Sequence, residues 1–159
     1  MHRLCRITFA HLALLALLLP ALVLAAGTPE ELILGKWRHV SLRRIMDGKE
    51  LPLRAGDGKA FSEFRPGGKW ELAGSTSQSG GTYKWLDAER IEMTILHSSL
   101  PAQIGWVSIK KIHVTADSLE LITVDTREAV DKHFGPLKGG ARRAEETVVI
   151  SVFKRDNGN

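Results

Sequence analysis

Between residues 91 and 96 the chain alternates, with Ile91, Met93 and Ile95 set against Glu92 and Thr94. A period of two places successive side chains on opposite faces, so this stretch predicts a half-buried antiparallel strand. Residues 119 to 125 repeat the pattern, with Leu119, Leu121 and Thr123 against Glu120 and Ile122. Residues 147 to 155 set Val148, Ile150 and Val152 against Val149, Ser151 and Phe153. Mixtures of β-branched, aromatic and polar residues predict further strands at 37 to 45, 60 to 65, 69 to 72, 82 to 86 and 106 to 114. In the last of these Lys110 and Lys111 interrupt the apolar face.

Short turns separate the strands, with Asp47-Gly48, Pro66-Gly67-Gly68 and the polar residues 87 to 90 and 115 to 118 as their chemistry. Leu51-Pro52-Leu53 is a loop or an edge strand, and residues 54 to 59 and 74 to 81 are loops by composition. Helical signals are confined to Thr28-Pro29-Glu30-Glu31, where Thr28 caps, Pro29 opens and Glu31 completes a capping box before Gly35 ends the turn. Residues 126 to 146 are irregular: a helical turn at 127 to 134 gives way to Gly135-Pro136 and Gly139-Gly140. The expectation is an all-β domain, a single antiparallel up-and-down barrel of about eight strands with a short N-terminal helical turn. Closure removes exposed sheet edges and leaves an interior for packed side chains or one small ligand.

The first 26 residues change the picture. Arg3 and Arg6 precede a long apolar run and the small residues Ala25, Ala26 and Gly27, the pattern of a secretory signal peptide, 1 to 26. An uncleaved anchor is the competing reading, since residues 7 to 26 could just span a bilayer. Removal leaves one domain, residues 27 to 159, secreted or periplasmic, with no membrane span. Loss of two arginines from a chain of formal charge +4 leaves about +2, too mild and too scattered to argue for nucleic acid. Cys5, the only cysteine, falls in the leader, so the mature chain has neither disulfide nor thiol chemistry.

Candidate chemistry is sparse. His39, His97, His113 and His133 stand in no metal-ligand or catalytic spacing, and no cofactor or metal is expected. Gly135 and Gly140 have phosphate-loop spacing, but Ala141-Arg142 follows where Lys and a hydroxyl residue are needed. The serines at 75, 77, 79, 98 and 99 lie in polar connections with no elbow or local base, so no catalytic residue is assigned and an enzyme is not expected.

The order of motifs resembles a known family. Leu34-Gly35-Lys36-Trp37 with Val40-Ser41 resembles the Gly-x-Trp opening of lipocalins and of bacterial lipocalin-like domains of the calycin superfamily. Phe64 to Trp70 resembles their second hairpin, Gly81-Thr82-Tyr83 the Gly-x-Tyr that opens the next strand, Leu119-Glu120-Leu121 a later Leu-x-Leu, and Val152-Phe153-Lys154-Arg155 the last strand with its basic end. The resemblance implies a binding barrel for a small hydrophobic molecule, closed at one end by Gly35 and Trp37 under Arg155 or Lys154. The larger apolar residues of alternate positions, Phe64, Trp70, Leu72, Tyr83, Trp85, Met93, Ile95, Leu121 and Ile150, are the expected lining of a mostly greasy cavity, with a hydroxyl contact from Tyr83. The alternative is an envelope protein-interaction or inhibitor-type barrel with a filled core, meeting its partner through residues 126 to 146. An apolar hollow of about 300 Å³ or more favours the first reading and a solid core the second.

Overall fold

The computed structural model describes residues 27–74 and 77–158; the leader reading on residues 1 to 26, Cys5 included, lies outside them. The helical signal at the start becomes α1, Pro29–Leu32, with the Thr28 and Glu31 side chains each accepting from the other's backbone N–H. Ten strands follow. They are β1 (Gly35–Met46), β2 (Lys49–Glu50), β3 (Arg54–Ala55), β4 (Phe61–Arg65), β5 (Lys69–Ala73), β6 (Gln78–Asp87), β7 (Arg90–Ser98), β8 (Val107–Val114), β9 (Ser118–Thr126) and β10 (Glu146–Arg155). The helix α2, Arg127–Phe134, starts under a Thr126 cap in the long β9–β10 connection.

All neighbours pair antiparallel, and β10 returns to β1 from Trp37↔Arg155 to Met46↔Thr147, which closes an up-and-down barrel of eight strands. The small strands β2 and β3 lie on β1 and are not part of the ring: β4 covers only Gly35 to Arg38, β3 takes over at Ser41 and Leu42, and β2 pairs Ile45 and Met46. A bulge between His39 and Ser41 shifts the β1–β10 register by one residue. One extra residue flips every later side chain to the other face, so Leu42, Arg44 and Met46 join Ser151, Val149 and Thr147 on the inside.

The end of the barrel beneath α1 is sealed. Trp37 and Ile33 are fully buried there, the Trp37 indole N–H donates to the Ile33 carbonyl at 2.7 Å, and the Arg155 guanidinium lies 4.0 Å from the ring centroid. Arg155 also donates to the carbonyls of Ala116, Leu34 and Leu32, so one side chain ties the last strand to α1 and to the β8–β9 turn. Gly35 lies beside it with φ +111, and a Cβ there would meet the Arg155 Nη1 at 3.1 Å. Above this seal the core continues through Phe64, Tyr83, Ile91, Met93, Ile112, Leu119, Leu121 and Phe153.

Candidate functional site

Above that core the interior is not filled. A chamber of about 200 Å³ lies between Phe64, Trp70, Leu72, Met93, Ile95, Trp106, Leu121, Val149 and Phe153, with Ser62, Ser79, Ser108, Lys110, Thr123 and Ser151 completing its wall. Six expected lining residues, Phe64, Trp70, Leu72, Met93, Ile95 and Leu121, come together here. Three do not. Tyr83 packs edge-on against Phe64, ring centroids 5.3 Å apart, with its hydroxyl directed at the Arg65 carbonyl at 3.5 Å. Trp85 packs against the core beyond the chamber. Ile150 stands between the lining residues Val149 and Ser151, so alternation turns it to the outer face, opposite Arg43 and Ile122 in the register. At the sealed end Arg155 covers Trp37, whereas Lys154 is exposed.

The interior is mostly apolar, as expected, but it carries polar groups beyond the single hydroxyl expected from Tyr83. On β8 the inward set is Ser108, Lys110 and Ile112, and the outward set includes Val107 and Ile109, each about half exposed. The Lys110 Nζ donates to the Thr123 Oγ1 at 2.7 Å, and burial pushes the ammonium below its ordinary pKa, with Asp125 opposing. Burial raises the Asp125 carboxyl in turn, against the pull of Lys110. Each group is shifted by the cost of burying its own charge: in a low-dielectric wall the neutral form of either gains.

The chamber shares Val149 with a recess of about 360 Å³ at the barrel mouth, lined by Arg44, Met46, Asp125, Arg127, Val130, Leu137, Arg142, Arg143, Ala144 and Thr147. Residues 126 to 146 thus build one wall of the opening. Arg127 and Arg142 pair with Glu145, and Arg143 pairs with Asp131 and donates to the Gly135 carbonyl. Buried nitrogens without a hydrogen-bond partner occur on both Arg44 (Nε) and Arg127 (Nη1), but Arg127 has the Glu145 carboxylate beside it, whereas Arg44 has no ion pair among the described residues. The α2 helix is pinned over the neighbouring rim by Trp106, whose ring meets His133 at 5.0 Å and Phe134 at 5.2 Å, while the His133 ring contacts the Ala102 carbonyl.

A second opening of about 400 Å³ lies where β1 leaves β4 for β3. His39, Leu42 and residues 54 to 57 line it, and it shares Leu72, Ser151 and Phe153 with the chamber. Burial lowers the His39 pKa, with Asp57 opposing and its ring edge-on to Phe153 at 5.3 Å. His97 contacts Glu71 at 3.0 Å on the surface. Among the described residues no group of three side chains could hold a metal, and no helix is long and apolar enough to cross a membrane.

The parity of β8 was the available signal for Lys110, since Ser108, Lys110 and Ile112 share a face with nothing but alternation to place them. Arg44 had none, because the bulge that turns it inward leaves no mark in the residues 39 to 41. No protein-family model and no curated protein matches the chain.

Proposed function

We propose that the chain is an exported, lipocalin-like barrel that binds a small, mostly apolar molecule in its interior. The observation that carries this reading is the chamber of about 200 Å³ inside a closed barrel whose opposite end is sealed by Trp37 and Arg155. A protein interior is normally packed at crystal-like density, and a hollow lined by Trp70, Trp106, Met93 and Leu121 forfeits contacts that a ligand restores. The chamber alone falls short of the roughly 300 Å³ at which a hollow favours a ligand, and passes that size only together with the mouth recess that shares Val149, so its occupant is small or extends into the mouth. Four serines, Thr123 and Lys110 in the wall give that occupant hydrogen-bonding partners, which favours a molecule with an apolar body and one polar group.

The test uses the two tryptophans of the wall. Titration with an apolar dye should change tryptophan emission saturably, and decan-1-ol should displace the dye. A flat response from protein whose near-ultraviolet circular dichroism shows it folded removes the reading. A second reading, a barrel that contacts a protein, is favoured by Val107, Ile109 and Val124, which stand about half exposed on adjacent strands β8 and β9. A flat titration would move the assignment there.

A further inference from the structure

Two cations face the interior along one row of register partners, Lys110 in the chamber wall and Arg44 in the mouth recess. Lys110 is registered with Thr123, Thr123 with Val149, and Val149 with Arg44, so the row crosses β8, β9, β10 and β1 on the inward face. One of the two has found a partner: Lys110 donates to Thr123. The other has not, since the Arg44 Nε is buried and without an acceptor. The acidic groups around the mouth are already engaged, Glu145 with Arg127 and Arg142, and Asp131 with Arg143. Asp125, two residues further along β9, lines the recess with Arg44 and acts electrostatically on Lys110, in ion-pair contact with neither. The row therefore holds two cations against one carboxylate, with the Arg44 Nε buried.

We propose that the junction of mouth and chamber receives the carboxylate of an amphiphile, with Arg44 on the mouth side as its principal partner and Lys110 on the chamber side as the second, while the apolar chain enters the chamber. The proposal rests on the reading of the interior as a ligand chamber and adds the head-group chemistry. A planar guanidinium presents a donor fork that matches a carboxylate, and an acceptor supplied to the buried Nε removes the cost of leaving it unpaired. Val149 belongs to both spaces, so the route from the charged recess to the chamber is continuous. Phe153 lies four residues from Val149 along the inward face of β10. At about 3.4 Å per residue that is roughly 14 Å, room for a chain of medium length and not for a long one. A neutral lipid leaves Arg44 unanswered, and an inorganic anion leaves the apolar chamber empty.

The experiment compares decanoate with decan-1-ol on the full mature chain, by dye displacement at pH 7. Wild-type protein should hold decanoate at least about tenfold tighter than decan-1-ol, the size of one charge-assisted hydrogen-bonded contact. In Arg44→Met the ratio should fall to about one. If Arg44→Met does not fold, Arg44→Gln, which keeps polarity without charge, carries the same expectation. Equal affinity for the two probes in wild-type protein, or an unchanged ratio in the folded Arg44 variant, overturns the head-group assignment and leaves the chamber reading standing. Binding of neither probe removes the chamber reading and the head-group assignment with it.

Discussion

Lys110 sets the energetics of the interior. Its ammonium is desolvated in the chamber wall, held by a single neutral hydroxyl, and the carboxylate of Asp125 is not within ion-pair contact. Such a group costs stability unless a counter-charge arrives, because the loss of hydration exceeds what one Thr–Lys hydrogen bond returns. Replacing Lys110 with Met, similar in length and able to follow an irregular wall, should therefore stabilise the ligand-free protein by about 1 to 2 kcal/mol. Urea unfolding with an unchanged slope measures this; a lower midpoint would show that Lys110 holds the wall together. Proteins tend to keep such destabilising groups where function uses them, which is how Lys110 enters the carboxylate proposal.

At the scale of elements, what the pattern made legible depended on whether a strand ran without interruption. Alternation runs unbroken through β4, β5, β9 and residues 91 to 95 of β7, and it placed Phe64, Trp70, Leu72, Met93, Ile95 and Leu121 on the chamber side. β10 is apolar on both faces, so periodicity alone could not choose between Ile150 and its neighbours Val149 and Ser151; closure against β1 decided it. β1 carries the bulge, which is why Arg44 was not foreseen. β6 starts earlier than its composition suggested, at Gln78, because Gly80 and Gly81 pair closely with β7. A Cβ on Gly81 would stand 2.0 Å from the Thr94 carbonyl oxygen. The irregular 126 to 146 stretch did contain its helix, Arg127–Phe134, and the glycines after it end that helix as the residues predicted. The seal was legible too, since Gly35, Trp37 and Arg155 meet at one end. Because Trp37 is wholly buried and tied by its N–H to Ile33, Trp37→Ala should cost about 3 to 5 kcal/mol. Unchanged thermal melting of that variant would mean that the end is held by something other than the ring.

For the molecule as a whole, one end is closed by packing and the other is framed by charge. The sealed end fixes the strands by Arg155, the middle holds a hollow with Lys110 in its wall, and the mouth gathers Arg44 and the paired arginines of the long connection. This gradient, apolar below and cationic above, matches a molecule with the same two ends. The methionines give a direct readout, because Met93 lies in the chamber wall and Met46 in the mouth. In protein carrying carbon-13 methionine methyls, titration with decanoate should shift the Met93 resonance saturably and give cross-relaxation between the Met93 methyl and the ligand chain. A Met93 signal that stays in place at saturating decanoate, whatever happens at Met46, would contradict an occupied interior.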